Sequence, residues 1–311
     1  MHTVLVSHWL PDGEFARWRR EFAGIAFVEP SAQGALESAD FAYGLPDIKR
    51  LGEATRLRWI QLASAGVPAP LCPIAIEKQI RITNLAGLYG PTIAEHAMAM
   101  LLTLSRNLHV AQRNQASTNW DRSVMNNMRD LAGTTLAVVG LGNIGCHIAR
   151  LAKAFGMRVI GCKRTDKPCA HVDRVYHVGQ LRAMFADADH LAVAAPLTAQ
   201  TDGLIGLDAL RALKPGAILI NVSRGQVVQE QALIEVLRSG HLRAAGLDVF
   251  AVEPLPSDHP FWTMPNVLVS PHYSGETVNW SALPAQRFVR NLHAFLKGEP
   301  LEGLVDPAQG Y

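Results

Sequence analysis

The chain has 311 residues and a mass of 33.8 kDa, room for about two domains at roughly 150 residues each. Hydrophobic residues make up 49% and charged residues 18%, which excludes a long disordered chain. Lys and Arg total 29 against 27 Asp and Glu, and no long basic run occurs, so a dedicated nucleic-acid binder is excluded as well. No apolar run approaches the ~20 residues of a membrane span. The start, Met1-His2-Thr3-Val4-Leu5-Val6, reads as a strand without a basic leader, so a cytoplasmic setting is expected. The four cysteines, Cys72, Cys146, Cys162 and Cys169, form neither a C-x-x-C pair nor a zinc framework.

Short apolar runs predict strands over 4–6, 25–28, 41–43, 59–62 and 81–83, with helical pieces over 13–22 and 47–55 between some of them. This alternation predicts a small open parallel sheet. Thr92 with Glu95 three residues on has the pattern of a capping box opening an apolar helix to about 106. So much apolar surface on one helix predicts an interior position or a subunit interface. The stretch 112–130 is polar and weakly patterned, and reads as an excursion that reaches a partner subunit. Further strands are expected over 134–139, 158–162, 188–195, 217–222, 244–249 and 267–269, and helices over 144–155, 229–239 and 281–296. Near-continuous apolar strands of this kind are buried on both faces, as in a doubly wound parallel sheet.

The string Gly140-Leu141-Gly142-Asn143-Ile144-Gly145 follows a predicted strand and opens a predicted helix, the context a dinucleotide-binding turn requires. Gly140 allows the tight turn, Gly142 the approach of a pyrophosphate, and Gly145 close helix–strand packing. Asn143 and Ile144 lie at the helix N-terminus, whose free N–H groups suit phosphates. The second strand ends at Lys163-Arg164-Thr165, and no acid occupies 161–165. An NAD site usually has an acid there for the ribose hydroxyls. Two cations and a hydroxyl suit a 2′-phosphate instead, so NADP is expected rather than NAD. Arg224, Glu253 and His272 each follow a late strand, at the carboxyl edge where open α/β sheets bind ligands. No histidines pair at metal-ligand spacing, and no metal is expected.

Four stretches carry a family resemblance: Gly140 to Gly145, Asn221-Val222-Ser223-Arg224-Gly225, the run from Gly246 through Glu253-Pro254, and Ser270-Pro271-His272. In this order the chain resembles the D-isomer-specific 2-hydroxyacid dehydrogenases, nearest to their glyoxylate/hydroxypyruvate reductase group. The resemblance implies an α/β fold of two domains: a Rossmann-type doubly wound parallel sheet over 94–284, and a smaller flavodoxin-like parallel-sheet substrate domain over 1–93 and 285–311. It places the active cleft at their junction, and it implies a homodimer. It implies reduction of a small 2-keto acid to the D-2-hydroxy acid with NAD(P)H. His272 would donate the proton, Glu253 would hold its imidazole, and Arg224 would grip the substrate carboxylate and carbonyl. Asp248 would face the nicotinamide carboxamide. Ser64-Ala65-Gly66-Val67 resembles the loop that holds the carboxylate, with Ala65 and Gly66 as contacts and Asn84 and Tyr89 lining the pocket.

Two other functions fit the same motifs. A nucleotide-sensing corepressor of the C-terminal-binding-protein type shares the fold, but a long polar tail and a nuclear-type basic run are not evident. A 3-phosphoglycerate dehydrogenase would favour extra cations for a substrate phosphate, and these are not evident either.

Overall fold

In the first unit, short runs of β-branched and aromatic residues become strands that alternate their side chains between two covered faces. The strands are β1 (His2–Val6), β2 (Ile25–Val28), β3 (Phe41–Tyr43), β4 (Trp59–Gln61) and β5 (Arg81–Thr83). They hydrogen-bond in the order β2-β1-β3-β4-β5, and every pair is parallel. Helices α1 (Glu14–Glu21), α2 (Ala35–Ser38) and α3 (Leu71–Glu77) run between strands. On one face Leu5, Ala42, Ile60 and Ile82 pack with Leu36 of α2 and Leu71 of α3. The computed structural model describes residues 2–164, 168–278 and 282–308.

The second unit holds helix α4 (Gly90–Ser105), α5 (Leu108–Ala116), α6 (Asn143–Ala154), α7 (Leu181–Ala186), α8 (Leu207–Ala212) and α9 (Glu230–Arg238). Its strands are β6 (Thr135–Val139), β7 (Arg158–Lys163), β8 (Arg174–His177), β9 (His190–Val193), β10 (Ala217–Asn221), β11 (Leu242–Leu247) and β12 (Val267–Val269). The sheet order is β12-β11-β10-β9-β6-β7-β8, parallel throughout. The chain leaves β6 in one direction to β7 and β8, then returns to β9 on the other side. That reversal is the topological switch point of a doubly wound sheet. The fold is therefore the expected one: two parallel-sheet α/β units.

The chain divides at Tyr89/Gly90 and Gly275/Glu276, against expected boundaries after 93 and 284. The first difference has a local cause. α4 begins at Gly90 with Pro91 in its first turn, where a missing N–H costs nothing. Thr92 thus lies inside the helix rather than at its cap, and the Thr92–Glu95 capping box does not open it. The apolar excess of α4 is used internally: Ala94, Ala97, Met98, Leu101 and Leu104 pack with Leu136, Val138, Ile148 and Ile220. The excursion is in part helical, since α5 runs into its first residues. Strand β8 was not expected; its Arg174 and His177 are exposed, so it carries little apolar signal. No helix among the described residues is long and apolar enough to cross a membrane.

After the second unit the chain returns to the first through α10 (Ala282–Lys297). Phe288 and Leu292 of α10 cover the second face of the first sheet, over Val4, Phe41, Tyr43 and Trp59, beside Trp18 of α1. Phe288 stacks on Trp59 at 5.4 Å with 10° between the rings, and lies 4.8 Å from Trp18. Phe288→Ala removes the centre of this fully buried cluster. It is expected to cost about 3–5 kcal/mol of stability, read as a lower denaturation midpoint. A loss below about 1 kcal/mol would show that α10 is not what closes this face.

Candidate active site

The dinucleotide turn is built by steric exclusion. Gly140 ends β6 at φ +96°, and a Cβ there would lie 2.5 Å from the Ala195 nitrogen across the switch point. A Cβ on Gly145, in the first turn of α6, would overlap the Gly140 carbonyl oxygen. Both positions therefore demand glycine. Gly142, by contrast, opens on free space and caps α6 without a side-chain acceptor. Its surface is the one a phosphate can approach, and the N–H groups around Asn143 and Ile144 are the donors waiting there. The N–H groups of Gly140 and Leu141 both donate to the Cys162 carbonyl, at 3.1 and 3.2 Å, which ties the turn to the end of β7.

Lys163 is the last residue of β7, and Arg164 follows it at the exposed edge. The Lys163 ammonium donates to the Pro168 carbonyl at 3.5 Å. Thr165, the third residue expected here, lies outside the described residues.

Glu253 and His272 form a pair at the carboxyl edge of the same sheet. Glu253 Oε2 lies 2.6 Å from His272 Nδ1. Its other oxygen, Oε1, accepts the N–H of Phe250 at 2.9 Å, so the carboxylate is held at both ends. Both side chains are partly open to water, 34% for Glu253 and 44% for His272. A cavity of about 450 Å³ lies beside them, walled by Phe250, Leu255, Trp262, Val269 and Pro271.

Asp248 does something other than expected. Its carboxylate is completely buried. Oδ1 accepts the Ser270 hydroxyl at 2.6 Å and the Tyr273 N–H at 3.2 Å, and Oδ2 accepts the Ser274 N–H at 3.1 Å. These donors flank His272, which sits in the left-handed region at φ 52°. In place of an open contact for a carboxamide, Asp248 is the anchor of the His272 turn.

His96 joins this network, although the sequence reading gave it no role. The Ser270 proton is committed to Asp248, so His96 Nε2 must donate to Ser270 Oγ, 3.0 Å away. Burial holds the His96 pKa below its ordinary value, with the Asp248 charge pulling the other way. No local signal could have found the contact, because its partners are 174 residues apart in sequence.

Arg224 stands just past β10. Its Nη1 donates to the Ser223 carbonyl at 2.6 Å, and it makes no hydrogen bond to Glu253 or His272 among the described residues. Asn221 fixes this strand end: Oδ1 accepts from the Ser223 N–H and hydroxyl, and Nδ2 donates to the Arg224 carbonyl at 3.2 Å. Gly225 is packed so tightly on the Phe250 backbone that a Cβ would overlap it. That contact seats the Arg224 turn against the segment leading to Glu253.

Ala65, Gly66 and Tyr89 belong to the first unit. Asn84 Nδ2 donates to the Ala65 carbonyl at 2.8 Å, and the Ser64 hydroxyl to the Gly66 carbonyl at 2.8 Å. The loop after β4 is thus held with Ala65 exposed and Gly66 partly so. Tyr89 is half-buried, and burial pushes its phenol pKa up.

A family model described as D-isomer specific 2-hydroxyacid dehydrogenase, NAD binding domain, matches residues 98–274. A glyoxylate reductase of Thermococcus litoralis is 35% identical over 84% of this chain and 80% of its own length. A solved D-isomer specific 2-hydroxyacid dehydrogenase of Xanthobacter autotrophicus, in complex with NADPH and MES, is 30% identical with a TM-score of 0.84, covering 100% of this chain and 99% of that one. An NADPH-dependent glyoxylate/hydroxypyruvate reductase of Sinorhizobium meliloti, in complex with NADP and sulfate, is 25% identical with a TM-score of 0.85 over 100% of both chains.

Gly145→Ala tests the turn. The added methyl must push α6 away from the Gly140 carbonyl, which moves the N–H groups that face Gly142. A loss of at least about tenfold in nicotinamide dinucleotide affinity is expected, on the order of 1.4 kcal/mol, measured by fluorescence titration. Unchanged affinity in a folded variant would show that this turn does not set the phosphate site.

Proposed function

The chain belongs to the D-isomer-specific 2-hydroxyacid dehydrogenase family, and we propose that it reduces a small 2-keto acid of the glyoxylate or hydroxypyruvate type to the D-2-hydroxy acid, with NADPH as cofactor. The observation that carries this reading is the Glu253–His272 pair at 2.6 Å, part-exposed on the sheet that also carries the dinucleotide turn.

The turn fits the cofactor: a phosphate has open space at Gly142 and uncapped helix N–H groups beside it. The bound nicotinamide supplies the hydride. The protein's own residues do the rest. Glu253 accepts Nδ1–H of His272; in the imidazolium form the ring carries a second proton on Nε2, and that is the proton it gives to the developing alkoxide. The Phe250 N–H keeps the carboxylate from rotating away. Arg224 commits Nη1 to Ser223 and has further guanidinium donors for the substrate carboxylate and carbonyl oxygen. Within the first unit, the Ala65–Gly66 backbone, Ala65 exposed and Gly66 partly so, is proposed as a carboxylate contact and Tyr89 as a substrate-binding residue. Asp248 fixes the loop that carries His272.

The substrate class takes its support from the glyoxylate reductase relatives. The preference for NADPH is supported by the cations at Lys163 and Arg164 and by the NADPH and NADP complexes of similar structures. A homodimer in the cytoplasm completes the reading. Because α4 is used inside its own unit, the motive for a dimer moves to the segment 108–128, which exposes Leu108, Met125, Met128 and, at 92%, Trp120.

His272→Gln is expected to lower kcat with glyoxylate by about 10²–10⁴, the usual worth of a positioned acid–base group, and to leave dinucleotide binding intact. A near-normal kcat would remove His272 from the reaction. Lys163→Asp combined with Arg164→Ala tests the cofactor. Two screened, charge-assisted contacts at about 1.5 kcal/mol each give roughly 10²-fold discrimination. The double variant should lose that preference through KM for NADPH, with kcat little changed. Equal wild-type kcat/KM for NADPH and NADH would overturn the assignment.

A further inference from the structure

Two cysteines take no part in the chemistry above. Cys146 follows Gly145 in α6, and Cys169 lies beyond β7, next to Pro168. Their sulfurs are 2.7 Å apart. A disulfide bond is about 2.05 Å long, so closure needs a movement of only about 0.7 Å. Both thiols are partly open to water, whereas Cys72 and Cys162 are buried.

The pair adjoins the dinucleotide turn. The Leu141 carbonyl lies 3.7 Å from the Cys146 sulfur. Lys163 is close enough to act on Cys146 through its charge, and its ammonium rests on the carbonyl of Pro168, the neighbour of Cys169.

We propose that Cys146 and Cys169 are a thiol–disulfide modification site whose reversible closure weakens NADPH binding. The oxidant is a low-molecular-weight disulfide such as oxidised glutathione. One protein thiolate attacks a sulfur of that disulfide; its S–S bond breaks and one thiol leaves. The second cysteine gives its proton to solvent and attacks the mixed disulfide, and the other small thiol leaves. In balance, two protein thiols are oxidised and one small disulfide is reduced to two thiols. Burial and the adjacent sulfur push the Cys146 thiol up to about 11, which disfavours its thiolate as the first attacker.

Closure draws Cys169 toward α6, and with it the Pro168 carbonyl that holds Lys163. The consequence for the cofactor rests on the proposed seat of the 2′-phosphate on Lys163 and Arg164.

The test treats the full-length reduced protein with oxidised glutathione. Thiols are counted after unfolding, and linked peptides are identified by mass spectrometry. The expected count falls from four to two, the link joins Cys146 to Cys169, and dithiothreitol restores it. Cys146→Ser and Cys169→Ser each abolish the link, and Cys72→Ser retains it. Four thiols surviving, or two separate glutathione adducts, overturns the site. Fluorescence titration then reads the coupling. The NADPH dissociation constant should rise at least about fivefold in the cross-linked protein, and oxidant should leave Cys169→Ser unchanged. An unmoved constant in fully cross-linked protein overturns the coupling. Equal affinity of the reduced protein for NADPH and NADH faults the 2′-phosphate reading instead, and leaves the cross-link result standing.

Discussion

The buried carboxylate of Asp248 is the constraint on which the candidate site depends. An ionised carboxylate with no contact to water costs several kcal/mol unless donors replace the lost hydration. Here three donors do so, all from the segment that carries His272. The arrangement works in both directions. The loop satisfies the charge, and the charge fixes the loop. Removing the carboxylate would strand the Tyr273 and Ser274 N–H groups in a buried pocket, a penalty larger than the net value of the bonds themselves. Once the loop is set, Glu253 needs only the Phe250 N–H to meet the imidazole in one orientation.

The sheet explains why these groups share an edge. All seven strands of the second unit are parallel, so every strand delivers its carboxyl end to the same side. Gly140 leaves β6 there, Arg224 leaves β10, Asp248 leaves β11, and Ser270 leaves β12. Order in the sheet, β12-β11-β10-β9-β6, puts the segment that carries His272 toward one end and the Gly140 turn at the switch point. In the first unit the loop after β4 obeys the same rule, with Asn84 fastening it through Ala65.

Much of this was readable in the sequence, because the signals are local. Apolar runs at strand length, a glycine triplet between a strand and a helix, and four motifs in a fixed order pointed to two parallel-sheet units and to a tight glycine turn between β6 and α6. The misreadings share one cause. Thr92 and Glu95 have the spacing of a capping box, but Pro91 starts the helix earlier. The apolar face of α4 fits an interior or an interface position equally, and only the fold, which covers it with α6, β10 and β11, decides between them. Strand β8 is held by pairing with β7 and not by its own apolar content. The contacts of Asp248 with Ser270, Tyr273 and Ser274, and of His96 with Ser270, join distant segments. Only the folded sheet brings them together. Composition marks Asp248 as an acid after a strand, and nothing in its neighbours says whether that acid faces a ligand or the protein.

His272 itself shows how the network and the chemistry are related. A side chain with a Cβ in the left-handed region costs roughly 1–2 kcal/mol, and glycine would sit there without strain. The residue is histidine all the same, and Asp248 holds the residues on both sides of it. Strain of this kind persists only where its surroundings over-determine it, and such sites cluster at functional positions. The left-handed turn has a geometric result: it brings Nδ1 onto Glu253 while the ring stays 44% open to water. An extended residue would carry the ring on along the strand direction instead. The backbone cost is thus consistent with a residue kept for its imidazole, and Asp248 supplies the rigidity that lets the cost be borne.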